Sequence, residues 1–125
     1  MSDTPRLVAR FATDAQGEPQ YVKTDTGLKR YKIVIEVENA PSDLLAATFY
    51  LDQRDYLPVQ TVEPGADGRV TLETTAYGDY GLTVDLRRQA GTIPVTTTLR
   101  RALLSGESQE PGPKIAAAID EIAAH

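Results

Sequence analysis

Thr75-Ala76-Tyr77-Gly78-Asp79-Tyr80-Gly81-Leu82-Thr83-Val84-Asp85-Leu86 runs from a glycine-centred turn straight into an alternating strand. Tyr80, Leu82, Val84 and Leu86 point one way, and Gly81, Thr83, Asp85 and Arg87 the other. That period of two belongs to a strand with one face in a core. The turn presents Tyr77 at the mouth of a sheet, where an aromatic ring can serve as a ligand wall.

The same rhythm recurs on both sides of this stretch. Residues 30–38 (RYKIVIEVE) alternate Tyr31, Ile33, Ile35 and Val37 against Lys32, Val34, Glu36 and Glu38. Val34 among the polar positions implies an outer face that is partly covered. Residues 6–13 place Leu7, Ala9 and Phe11 on one side, and 69–75 place Val70 and Leu72 inward. Residues 21–24, 46–51 and 59–63 read as shorter strands, and 92–104 as a last strand. Pro94 confines that last strand to an edge or a bulge. Turns fall at 14–20, Thr26-Gly27, Asn39-Ala40-Pro41-Ser42, Pro64-Gly65-Ala66-Asp67-Gly68 and Gln89-Ala90-Gly91. Residues 42–45 read as one helical turn capped by Ser42. Phe49 and Leu51 join the inward set with Tyr80, Leu82, Val84 and Leu86.

Seven or eight short antiparallel strands spaced by about ten residues predict an all-β fold, a two-sheet β-sandwich. A parallel α/β fold needs helices between strands, and none is legible before residue 113. Residues 1–104 form the sandwich domain, 105–112 (SGESQEPG) a linker, and 113–125 a short C-terminal α-helix opened by Pro113. In that helix Ile115, Ala118, Ile119 and Ile122 make one apolar stripe. The stripe packs on the domain or on a partner.

Composition narrows the function classes. The 125 residues suffice for one domain with a core. A net charge of −5 argues against nucleic acid, which is bound through a basic surface. No apolar run approaches the roughly 20 residues of a membrane span. There is no cysteine, and the one histidine is the last residue, so no internal His or Cys can activate a nucleophile. The expectation is a protein without enzymatic activity and without a cofactor. The opening MSDTPRLVAR has no apolar signal core, which predicts a cytoplasmic location. Asp52, Asp55, Glu63, Asp67 and Asp79 lie in or near turns, but their spacing matches no calcium loop, and turn aspartates ordinarily cap turns or face water. No metal site is assigned. Arg87-Arg88 and Arg100-Arg101 read as edge charges that oppose sheet aggregation.

The order of these segments resembles that of YEATS domains, small immunoglobulin-like modules, over roughly residues 29–104. Tyr31 to Val37 is similar to the second strand of that family. Phe49-Tyr50-Leu51-Asp52 resembles the strand that leads to its histidine-containing loop, and Leu57-Pro58-Val59-Gln60-Thr61-Val62 the proline-containing stretch that follows. Gly68-Arg69-Val70-Thr71-Leu72 then leads into Tyr77-Gly78-Asp79-Tyr80. That tetrad is similar to the Trp/Tyr-Gly-Glu-Phe pattern of prokaryotic YEATS-like domains, a group associated with bacterial signalling and defence.

The resemblance implies an immunoglobulin-like β-sandwich and a recognition function carried by the end loops 52–58 and 76–80. It places Tyr77 on the wall of a flat acyl-lysine pocket beside Gly78 and Asp79, with Ala76 where the family has a glycine. Asp52 falls near the family's histidine, Arg54 near its small hydroxyl residue and Tyr56 near its phenylalanine. The departures at Asp52 and Arg54 remove the groups that orient an amide. A planar or cationic ligand between Tyr56 and Tyr77, near Asp52, Asp55 and Asp79, suits the residues present through stacking or cation–π contact. The expected partner is a peptide, a modified side chain or a small ligand. The alternative is an assembly domain that binds another protein through an edge strand or the C-terminal helix.

Overall fold

The alternations over 30–38 and 79–88 become the central strands of two facing sheets. The computed structural model describes residues 5–16, 18–23, 29–51, 59–66, 68–76, 78–106 and 113–124. Its elements are β1 (Arg6–Phe11), β2 (Tyr21–Lys23), β3 (Lys29–Glu38), β4 (Leu44–Tyr50), β5 (Val59–Val62), β6 (Val70–Ala76), β7 (Gly81–Arg88), β8 (Gly91–Thr98), α1 (Leu99–Gly106) and α2 (Pro113–Ala123). All sheet pairings are antiparallel.

In the first sheet β3 is central. One edge pairs with β6, from Tyr31↔Ala76 to Val37↔Val70. The other edge is shared by β1, which pairs over Ile33–Glu38, and β2, which pairs over Lys29–Tyr31. Strands β1 and β2 thus form one split lane, with residues 13–19 looped out between them. The Ala12 N–H donates to the Lys32 carbonyl and the Lys32 N–H to the Gln20 carbonyl, both at 2.9 Å, which stitches the break. The second sheet runs β5-β4-β7-β8. Pro94 sits on β8, an edge strand, where its missing N–H interrupts no interior ladder.

The inner faces form a single core. Tyr31, Ile33, Ile35 and Val37 of β3 are buried, as are Leu82, Val84 and Leu86 of β7. Tyr80 packs against this core but is only half-buried, because it precedes β7 at the sandwich end. The outer face of the first sheet carries crossed charges: Arg6 on Glu38 at 2.6 Å, and Arg10 and Arg69 both on Glu36, at 3.2 and 3.1 Å. Val8, between Arg6 and Arg10 on that face, is buried too.

Two segments depart from the sequence reading. No helical turn forms at 42–45; β4 begins at Leu44 after a short turn closed by the Leu44 N–H on the Pro41 carbonyl at 3.2 Å. A bulge follows between Leu44 and Ala46. One extra residue there lets Leu44 and Ala47 both face inward while Leu45 turns out. The Asp43 carboxylate accepts from Arg88 at 2.8 Å, and that hydrogen bond holds its carboxyl below the usual range.

The larger departure is at 92–104. The strand stops at Thr98, and Leu99–Gly106 is helix. β-Branched Ile93, Val95 and Thr96 to Thr98 favour extension, whereas Leu99-Arg100-Arg101-Ala102-Leu103 are helix formers. Leu99, Ala102 and Leu103 are buried at the i, i+3, i+4 spacing of one helix face. Thr98 caps the start, its Oγ1 accepting the Arg101 N–H at 3.2 Å. Ser105 and Gly106, read as linker, are the last residues of α1.

Gly106 brings α1 against the edge of β1. A Cβ there would overlap the Ala9 carbonyl oxygen and lie 2.7 Å from its carbonyl carbon and 2.9 Å from its nitrogen. All three are backbone atoms and cannot rotate away. Alanine ordinarily favours a helix over glycine by about 0.5–1 kcal/mol. At this position the sign should reverse, and Gly106→Ala is expected to destabilise by about 1–3 kcal/mol. Urea denaturation measures this, and a gain in stability would mean that α1 does not run against β1.

In α2, Ile115, Ala118, Ile119 and Ile122 are all part of the core cluster. Among the described residues no helix is long and apolar enough to cross a membrane.

Candidate functional site

The end of the sandwich where β3 begins and β6 ends gathers several connections. Tyr50 pairs with both Val59 and Thr83, so the β4–β5 connection leaves from the end at which β7 starts. The β6–β7 turn occupies the same end. The described flanks of both segments read as the recognition surface, Tyr50 and Val59 for one and Ala76 and Gly78 for the other, therefore lie at this end of the sandwich. Tyr77, Tyr56, Asp52 and Arg54 themselves lie outside the described residues, as do Asp55 and Asp67.

Ala76, Gly78 and Asp79 are described; the first two are buried and Asp79 is half-buried. Ala76 is the last residue of β6, buried opposite Tyr31. Gly78 is buried as well. Asp79 works as a fastener. Its Oδ1 accepts the N–H of Tyr80 and the N–H of Arg100, both at 3.0 Å, the second within the first turn of α1. Its own N–H donates at 3.0 Å to the carbonyl of Ile122 near the end of α2. One residue thus satisfies an orphan donor of one helix and an orphan acceptor of another. A carboxylate at a helix N-terminus is also favourably placed in the helix dipole.

Beside this fastener lies a recess of about 290 Å³ that the sequence did not announce. Tyr21 and Tyr31 form its aromatic side, Glu18 and Pro19 one rim, and Ala117, Ala118 and Glu121 of α2 the other. Each part has a local cause. Asp14 Oδ1 accepts the N–H of Gln16 and of Glu18, both at 2.9 Å, closing the 13–19 loop and fixing Glu18. Thr13 bridges to Pro19 across that loop. The Tyr31 ring meets Phe11 edge-on at 5.4 Å and Tyr21 at 5.9 Å, with interplanar angles of 70° and 61°. The small side chains of Ala117 and Ala118 leave the space open.

Tyr31 couples the sheet to the helix. Its hydroxyl donates to Glu121 Oε2 at 2.7 Å across a separation of 90 residues. Burial, followed by the hydrogen bond to Glu121 and the charge of that carboxylate, raises the phenol far above its ordinary value. The hydroxyl therefore remains a proton donor throughout the physiological range. Tyr21 is 45% exposed and presents its ring to solvent.

Chemically the recess offers two carboxylates, two phenols and apolar walls. Among the described residues no basic side chain lines it, and its lining pairs no nucleophile with a base. Among the described residues no group of three or more His, Cys, Asp or Glu could hold a metal ion.

The sequence reading assigned Tyr31 to the core and gave Tyr21, Glu18 and Glu121 no role. The only local hint was the run Ala116-Ala117-Ala118, small residues on a helix that otherwise shows an isoleucine stripe. No protein-family model matches this chain, and neither does any curated protein.

Proposed function

We propose that this protein is a non-catalytic recognition module, an immunoglobulin-like sandwich of the YEATS-like kind. It binds a peptide, a modified side chain or a small ligand at the loop end of the sandwich, in a bacterial signalling or defence setting in the cytoplasm. The observation that carries this reading is the aromatic, acid-rimmed recess at the end of the sandwich where β3 begins and β6 ends.

The strand order supports the fold half of the proposal. Counting β1 and β2 as one lane, lanes 1-3-6 face lanes 5-4-7-8, and the chain crosses between sheets after β3, β5 and β6. An immunoglobulin-like sandwich distributes its strands in this way, with an A-B-E sheet facing a C′-C-F-G sheet. The net charge of −5 supports a protein or peptide partner over nucleic acid. The absence of cysteine, and of any histidine before residue 125, supports binding without catalysis.

A second reading, assembly through a sheet edge, is favoured by one feature. Tyr50 and Val59 pair across β4 and the edge strand β5, and are 39% and 50% exposed. The helix version of that reading has less support, because the isoleucine stripe of α2 is buried in its own domain.

The test is a titration of acylated, methylated and unmodified lysine peptides against wild type, Tyr77→Ala and Asp52→Ala. Tyr77→Ala is expected to weaken binding by about 1–3 kcal/mol, the scale of a lost stacking contact with its burial. Its melting temperature should not change. A confirmed partner that binds Tyr77→Ala as tightly as wild type would move the working surface to the β5 edge.

A further inference from the structure

We propose that the recess between β2, β3 and α2 is a subsite for the ammonium end of a lysine or methyl-lysine side chain, presented by a partner peptide. This rests on the recognition reading above and names the chemistry that such a module accepts.

Charge is the first argument. Glu18 and Glu121 line one concave space, and no basic residue is among its described lining. Carboxylates of like sign in a hollow with low-dielectric walls focus a negative potential. That potential attracts a cation and repels phosphates, nucleotides and other anions. Tyr31 holds Glu121 in place through Oε2. Among the described residues Glu121 accepts no second hydrogen bond, which leaves Oε1 for an incoming N–H.

Shape is the second argument. The Tyr21 and Tyr31 rings meet at 61°, forming a corner rather than a flat stack. An ammonium or methylammonium group set in such a corner meets the negative face of an aromatic ring while its charge faces the carboxylates. The volume of about 290 Å³ lies just below the range for small-molecule sites, about 300–1,000 Å³. It suits the end of one side chain better than a cofactor. Ala117 and Ala118 keep it open from the helix side.

Competing occupants fit less well. A neutral acyl-lysine brings one amide N–H and no charge, so it answers less of the negative potential than an ammonium does. A hard divalent cation takes six or more oxygen ligands. The recess supplies two carboxylates and two phenols, one of which is already donating to Glu121.

The experiment uses the full chain and follows the amide signals of Ala117 and Ala118 and the Tyr21 ring by NMR. The probes are methylammonium and three versions of one short peptide, carrying unmodified, trimethylated or acetylated lysine. The cationic peptides should shift these signals and bind at least tenfold more tightly than the acetylated one. They should also exceed methylammonium by at least tenfold, which separates a presented side chain from a free amine. Binding should weaken as ionic strength rises. Glu121→Gln keeps an acceptor for the Tyr31 hydroxyl but removes the charge, and is expected to weaken the cationic peptides at least fivefold with an unchanged melting temperature. Tyr21→Ala should do the same, since its ring is already half in solvent.

Preference for the acetylated peptide would overturn the cation subsite while leaving the recognition module standing. Equal binding by methylammonium and the peptides would overturn the side-chain assignment. Cationic peptides that bind Glu121→Gln and Tyr21→Ala as tightly as wild type would place the site elsewhere. Signals unmoved by every probe at millimolar concentration would overturn the subsite, and binding of another partner lost in Tyr77→Ala would still uphold the module.

Discussion

Ending the chain after Gly112 is expected to abolish cooperative unfolding, because α2 is a wall of the core and not an appendage. Ile115, Ile119 and Ile122 are 8%, 4% and 0% exposed. Burying each such side chain contributes about 1.5–3 kcal/mol. Together they approach the whole stability of a typical domain, about 5–15 kcal/mol. Truncation also strips Tyr31 of its Glu121 acceptor and the Asp79 N–H of its Ile122 acceptor. The expected product keeps β-sheet circular dichroism, loses a sharp melt, and binds a hydrophobic dye. The milder variant Ile122→Ala should fold and lose about 2–5 kcal/mol. Thermal melts of both decide the matter, and a truncated chain that melts like the full one would detach α2 from the core.

That helix shows where the sequence was informative and where it was silent. The stripe at Ile115, Ala118, Ile119 and Ile122 is a local pattern, so the existence of a helix with one apolar face was legible. Its docking depends on Tyr31 and Asp79, which are distant in sequence and carry no mark of the partnership. The long strands were legible for a similar reason. β3 and β7 bury one face against a single core, and a period of two follows directly. The change from strand to helix at Thr98 was not legible as a break in hydrophobicity. Val95, Leu99 and Leu103 recur every four residues, a spacing that fits alternate positions of a strand as well as one helix face. What distinguished them was the switch from β-branched residues to Leu, Arg and Ala, a weaker signal than patterning. The bulge at Leu44–Ala46 broke the period of two in β4, so the inward role of Leu44 was invisible to alternation alone.

The candidate site follows the same division. The resemblance directed attention to residues 52–58 and 76–80, of which 52–58 and Tyr77 lie outside the described residues, and the aromatic recess is built from none of them. Its components come from the 13–19 loop, β2, β3 and α2, four segments that no motif links. Two of them, Tyr31 and Glu121, would each be dismissed singly: an aromatic in a strand's apolar row, and a charge on a helix flank. Only the fold sets a phenol against a carboxylate with alanines beside them. Asp79 shows the converse. It was read as a ligand carboxylate, and its Oδ1 already accepts two backbone N–H groups.

Phe49→Ala and Tyr50→Ala, one residue apart, test the register of β4 with opposite expectations. Phe49 pairs with Val84 and Gln60 at the centre of the second sheet and is 0% exposed. Removing a fully buried phenyl ring costs about 3–5 kcal/mol, the transfer term plus the cavity left behind. For a domain of this size each kcal/mol lowers the melting temperature by about 3–6 °C, so a fall of about 10–30 °C is expected. Tyr50 faces outward beside Val59 and Asp85, and the hydrogen bond to Asp85 raises its phenol above the ordinary value. Its loss removes one cross-strand contact and should cost about 0.2–1 kcal/mol. Side chains in a strand alternate faces, so slipping β4 by one residue against β7 would bring Tyr50 inward and turn Phe49 to solvent. The ranking of the two variants therefore reads the register directly. If Tyr50→Ala proves the more damaging, β4 is out of register with β7, and the inward face of the second sheet is not the one that carries Ala47 and Phe49.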